Sequence, residues 1–171
     1  TQLSYMRRQS LGVKTDQILV IKFPGPTEGM KTKMESMRRA IKKLPLASKV
    51  TCSGAVPGEE VAMFLSNHRA HDALKQNRLY EMLSCDPDYI DAYGLEVVAG
   101  RGFSEEYGDD VNKLVINETA ARMLGYVDND DAIGEEIAVE TLGEPMQVIG
   151  VVKDYHQQAL NKGYTRSEEH T

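Results

Sequence analysis

The stretch MQVIGVVKDYHQQAL, residues 146–160, decides how this chain is read. Its first seven residues are an almost unbroken apolar run, the pattern of a strand covered on both faces. A polar cluster follows at once: Lys153, Asp154, Tyr155, His156 and two glutamines. At the level of residue types the cluster is open to two readings. Lys153, Asp154 and His156 could form an acid–base site, which needs a pocket and partners within reach. They could equally be the polar exit from a buried strand. Consecutive residues of an extended chain project to alternating sides, so the polar exit, or a contact surface, is the expected reading.

Working backwards, Gly143, Glu144 and Pro145 form a hairpin turn between this strand and GEEIAVE, residues 134–140, which reads as another strand. NKLVINETAARMLGY (112–126) reads as a strand, a cap at Asn117, and a two-turn helix closed by Gly125. LEVVAGRGF (95–103) is a short strand running into a glycine turn. DPDYIDAYGL (86–95) is a short helix with Asp86 as N-cap, Pro87 at the first helical position and Gly94 at its end. RLYEMLSCD (78–86) alternates as a strand does. Residues 57–76 show no clean period.

The N-terminal third has a different pattern. DQILVIKFPG (16–25) is a continuous apolar run ended by Pro24, Gly25 and Pro26, the signature of a buried strand. From Gly29 to Leu44, Met30, Met34, Met37, Ile41 and Leu44 recur at helical steps, opposite a face rich in Lys and Arg. Pro45 stops this helix, and SKVTCSGAV (48–56) reads as a second strand. The three segments predict a βαβ unit.

The totals bound the function. The chain has 171 residues, enough for one domain or two small lobes, with 41% apolar and 27% charged residues. Its 26 acidic against 20 basic residues give a formal charge of −6, which argues against broad nucleic-acid binding. No apolar run reaches the roughly 18–20 residues of a membrane span. No signal peptide is visible and the first residue is not Met, so the chain is expected to be a piece of a longer protein. RSEEHT (166–171) is the in-frame translation of AGATCGGAAGAGCACACG, the start of a sequencing adapter, and is expected to lie outside the fold.

Other constellations have plain structural readings. The methionine stripe is core packing at helical spacing rather than a copper(I) site. His68, His71 and Asp72 lack a further metal ligand at a defined distance and read as a solvated loop. DNDDAIG (128–134) lacks the alternating ligands and closing Glu of a calcium loop and reads as a turn. There is no phosphate-cradling glycine loop, no Gly-x-Ser-x-Gly elbow and no cysteine with a histidine partner in sequence. No metal, cofactor or catalytic residue is therefore expected. Whether Cys52 and Cys85 pair is left open.

Taken in order, DPDYIDAYGLEVVAGRGFSEE, LVINETAARMLG, DAIGEEI and VIGVVKDYHQQAL resemble the periplasmic core domain of MacB/FtsX-type ABC transporter permeases. YMRRQSLGVKTDQILVI (5–21) resembles the segment where such a chain leaves its first transmembrane helix. Lys-Asp-Tyr-His after the last strand is most similar to permeases of Bacteroidetes. Ala132 stands where the family usually has Pro.

The resemblance implies an α+β fold. Residues 1–15 would follow a transmembrane helix, and 16–56 would be the first βαβ unit of an incomplete porter-like lobe. Residues 57–152 would form a second, strand-rich mixed α/β lobe called Sabre. Residues 153–165 would return toward a second βαβ unit, and 166–171 would be adapter-derived. Lys153, Asp154, Tyr155 and His156 would then lie at the contact between lobes. In the family the domain continues with that second unit, a stalk helix and three membrane helices. Without them the sheet is expected to show an unpaired edge and exposed apolar surface.

The implied function is mechanical. A separate cytoplasmic ATPase hydrolyses ATP, and the permease dimer transmits the movement to periplasmic domains that expel or release an envelope substrate. The expected partners are that ATPase, a second permease copy, and a membrane-fusion or lipoprotein-carrier protein. The expected location is the periplasmic face of the bacterial inner membrane. The alternatives are a free-standing periplasmic binding or adaptor domain, or a hydrolase using His156 and Asp154.

Overall fold

A computed structural model describes residues 12–23, 29–74, 76–108 and 110–157. Within them the order is α1 (Met30–Lys42), β1 (Phe64–Arg69), β2 (Arg78–Glu81), α2 (Tyr89–Tyr93), β3 (Val97–Gly100), β4 (Lys113–Asn117), α3 (Glu118–Met123), β5 (Glu136–Val139) and β6 (Met146–Val152). Short 3-10 turns lie at Glu105–Tyr107 and Asn129–Ala132. The architecture is mixed α and β around one strand-rich, mostly antiparallel sheet, the fold class expected from the sequence.

The apolar run of residues 146–152 becomes the centre of that sheet. Gln147 pairs with Lys113 of β4 on one edge and with Glu136 of β5 on the other. Val152 likewise pairs with Asn117 of β4 and Val97 of β3. β6 therefore has one edge filled by parallel β4, while antiparallel β5 and β3 share the other. Both faces of β6 are also covered, Val148 and Val151 packing in one core cluster and Val152 in another, so the run is apolar from Val148 onward and residues 148–152 are all buried.

The register of β6 against β4 slips by one residue between Leu114↔Val148 and Val115↔Gly150. This bulge accommodates an extra residue in β6 and resets its side-chain alternation. As a result Val148 and Val151, both 0% exposed, join one core cluster with Ala99, Ala121, Tyr126, Ala132, Ile137 and Val139. Val152 joins a second cluster with Tyr89, Ile90, Tyr93 and Leu95. The alternation of β4 repeats this division. Leu114 and Ile116 pack on the first cluster and Val115 on the second.

The local signals around α2 and α3 hold. Asn117 accepts a hydrogen bond from the Ala120 N–H at 2.8 Å, and Gly94 closes α2 in the left-handed conformation at φ 62°. The N-cap of α2 is Asp88 rather than the expected Asp86. Asp86 lies two residues outside it, accepting from the N–H of Asp88 at 3.2 Å and of Cys52 at 2.9 Å. A carboxylate two residues before the cap can serve the backbone of another segment as well.

The N-terminal third departs from expectation. Helix α1 forms where the period placed it, and its apolar stripe is half-buried at Met30, Met34, Met37 and Ile41. The two flanking strands do not form among the described residues. Residues 16–23 have no strand pairing, and Leu19 is 84% exposed. Within 48–56 the only ladder contact is an isolated bridge, Ser53↔Cys85. An apolar run becomes a strand only when neighbours take up its N–H and C=O groups and cover both faces, and no described strand does so for 16–23. Ile18, Leu19, Val20, Ile21 and Phe23 are exposed among the described residues. Conversely, β1 forms inside the aperiodic 57–76 segment. It is held mainly by backbone pairing to β2 and β5, with Leu65 packing on the first core cluster. Residues 1–11 and 158–171, including the 166–171 tail, lie outside the described residues.

Candidate functional site

On leaving β6 the chain is fixed residue by residue. The Lys153 N–H donates to the Glu96 carbonyl at 2.9 Å, and its ammonium reaches the Glu96 carboxylate at 3.1 Å. Both side chains of that ion pair are well exposed, so it adds little.

Asp154 turns the other way, onto the first turn of α3. Its carboxylate accepts from the Thr119 N–H, the Thr119 hydroxyl and Arg122 Nη2, each at 2.8 Å. The Asp154 N–H in turn donates to the Glu118 carboxylate at 3.1 Å. Partial burial acts to raise the Asp154 carboxyl, but the two Thr119 bonds and the Arg122 charge outweigh it and hold the group below its ordinary value. A carboxylate so held is ionised at neutral pH and is a weak base.

Tyr155 inserts its ring into the second core cluster, where burial raises its hydroxyl. Gly12, at φ 70°, lies against it: a Cβ there would stand 3.1 Å from the Tyr155 Cβ and 3.2 Å from the Asp154 carbonyl oxygen. His156 is half-buried. Gln157 closes the segment, its Nε2 donating to the carbonyls of Val56 at 2.9 Å and Glu59 at 3.1 Å. The Gly58 N–H donates to the Gln157 carbonyl at 2.6 Å. Residues 153–157 thus touch Gly12, the 56–59 turn, the core beside α2 and the start of α3.

This geometry does not assemble an acid–base triad. Among the described residues no hydrogen bond or ion pair links Lys153, Asp154 and His156; the first two are committed to Glu96 and α3. The other constellations are similarly dispersed. His68 lies in β1, opposite Ala138 of β5, while His71 is an exposed side chain 3.4 Å from Glu136. Asp72 accepts from the Leu74 N–H. In the acidic turn, Asp131 accepts from the Asp128 N–H at 3.2 Å. Among the described residues no three His, Cys, Asp or Glu side chains group around a metal position.

The sequence reading missed a second anchor, formed by Asp86 and Asp88. Asp86 accepts from Thr51 Oγ1 at 2.5 Å and pairs with Arg38 Nε at 3.2 Å. Asp88 pairs with Arg38 and with Lys42 at 2.7 Å. Burial acts to raise the Asp88 carboxyl, and the Lys42 and Arg38 contacts more than reverse it. The basic face of α1 is thereby clamped to the start of α2. The sequence shows the basic helix and the Asp-Pro-Asp triplet, but not that they meet across some 50 residues.

The residues with this arrangement match a known family over 3–166, the MacB-like periplasmic core domain. The chain belongs to that family. It is a family of ABC transporter permease domains. No curated protein matches the chain. Among solved structures, the periplasmic region of MacB from Actinobacillus actinomycetemcomitans is 20% identical. It aligns over 80% of this chain and 60% of its own, with a TM-score of 0.52. A domain of a protein described as a permease, from Porphyromonas gingivalis, is 17% identical over 69% of this chain and 45% of its own, with a TM-score of 0.49. This MacB-like domain therefore spans about half the length of the solved chains it matches. Among its described residues no helix is long and apolar enough to cross a membrane.

Proposed function

We propose that this MacB-like domain works as the periplasmic, force-transmitting part of an ABC transporter permease. A cytoplasmic ATPase supplies the energy, membrane helices carry the movement, and the domain moves an envelope substrate by efflux or by lipoprotein release. Two permease copies act together, with a membrane-fusion or lipoprotein-carrier protein as the onward partner. In this reading residues 16–56 belong to a porter-like lobe, 57–152 to the Sabre-like lobe, and Lys153, Asp154, Tyr155 and His156 to the joint between them.

The observation that supports the reading, beyond family membership, is the anchoring of residues 153–157. A path for movement between lobes needs a segment fixed at both ends. Here Asp154 is fixed to α3 in the 57–152 stretch, and Gln157 Nε2 donates to the Val56 carbonyl at the end of 16–56. None of these contacts requires a small-molecule pocket or a perturbed general base. The parent gene provides the test. Flanking hydrophobic segments of about 20 residues and a neighbouring ATPase gene are the expected result. Their absence would favour a free-standing periplasmic binding or adaptor domain.

A further inference from the structure

A cleft of about 150 Å³ opens where the end of β1, the start of β2 and the end of α3 meet. Three arginines from these separate elements line it, Arg69, Arg78 and Arg122, together with Tyr80, Asp72 and Gln76. Two of the arginines are already positioned. Arg69 pairs with Glu135 at 3.2 Å and lies 4.6 Å over the Tyr126 ring, and Arg122 pairs with Asp154 at 2.8 Å. Their charges are matched by those carboxylates, but a guanidinium carries five N–H donors and each pair uses only some of them. Arg78 has no ion pair among the described residues. The one carboxylate in the lining, Asp72, accepts from the Leu74 N–H.

We propose that the cleft binds a phosphate group, with Arg78 supplying a charge committed to no ion pair among the described residues, and Arg69 and Arg122 supplying fixed N–H donors. Donors arriving from three elements suit a tetrahedral oxyanion better than a planar carboxylate, and the volume suits a single group rather than a peptide segment. The phosphate can be free or the headgroup of a lipid. This inference does not depend on the transport reading.

The test uses the whole 171-residue chain in two arms. In one, inorganic phosphate is titrated by calorimetry, with sodium chloride at equal ionic strength as control. In the other, the chain is co-sedimented with phosphatidylcholine vesicles with and without phosphatidic acid. Binding in either arm is expected, and the responding arm distinguishes free phosphate from headgroup. Arg78→Gln, at an exposed edge-strand position, should weaken it about tenfold, the scale of one charge-assisted hydrogen bond. Arg78→Lys, which keeps a cation but loses the guanidinium fork, should weaken it several-fold and serves if Arg78→Gln does not fold. Absence of binding in both arms, or unchanged binding in a folded variant, overturns the proposal.

Discussion

Gly100 and Gly150 are cross-strand partners in the β3–β6 ladder, and neither has room for a Cβ. A Cβ on Gly150 would lie 2.0 Å from the Arg101 carbonyl oxygen, and one on Gly100 would lie 2.3 Å from that of Ile149. In both cases the obstacle is backbone, which cannot rotate away as a side-chain tip can. Gly100 also has φ 65°, where an L side chain costs about 1–2 kcal/mol more. Gly150→Ala and Gly100→Ala should each destabilise the domain by about 1–3 kcal/mol or more. Urea unfolding followed by circular dichroism would measure this, and an unchanged midpoint for either variant would refute the close approach.

Part of the acid sensitivity should trace to Asp110. Its carboxylate takes two bonds from Arg101, both at 2.9 Å, and one from the Ser104 N–H at 3.1 Å. The Arg101 bonds dominate, burial opposes them, and the group is held down to about 2. Because the folded value lies below the unfolded value of about 3.9, the contribution is fully present above ~pH 4 and is lost as pH falls toward 2. Asp110→Asn should lower stability at pH 7 and flatten its dependence between ~pH 4 and 2. Thermal melts across that range test it, and an equally steep slope in the variant would contradict it.

Much of the sheet region was legible in the sequence because its signals are local. Asn117 before a helix, Gly94 after one, and the apolar run at 146–152 each announce an element from a few residues. β1 was not legible: Asn67, His68 and Arg69 carry no apolar alternation, and backbone pairing with β2 and β5 holds the strand. The flanks of α1 failed in the opposite sense. Ile18–Phe23 has the composition of a buried strand, but strand formation depends on partners that composition cannot supply. At the candidate site, the sequence marked the 153–156 cluster but not its destinations. Asp154 meets Thr119 and Arg122 from 32 to 35 residues away, a separation no short-range pattern reveals.

The cysteines should remain unlinked. Ser53 is the bridge partner of Cys85, so Cys52, its neighbour along an extended segment, projects to the opposite face. Burial pushes the Cys85 thiol up to about 11. Under mild oxidant no intramolecular disulfide should form, and alkylation of Cys85 should be slower than that of a free thiol in the unfolded chain. Mass spectrometry of the native and urea-unfolded chain reads both outcomes, and a Cys52–Cys85 crosslink would overturn the register.

Gln157→Ala removes two side-chain bonds to the 56–59 turn, worth about 1–3 kcal/mol together. The loss should be local. Amide hydrogen exchange should quicken at Gly58 and Glu59 while β6 keeps its protection. Equal acceleration throughout, or none at 58 and 59, would show that Gln157 does not tether that turn.

If ATP-driven movement reaches this domain, a distance between its two copies changes with the nucleotide. Val127 is 89% exposed and can carry a spin label with little disturbance. In the full-length permease with its ATPase, the distance between labels on the two copies should differ between ATP-bound and ADP-bound states. Identical distance distributions in both states would contradict the account.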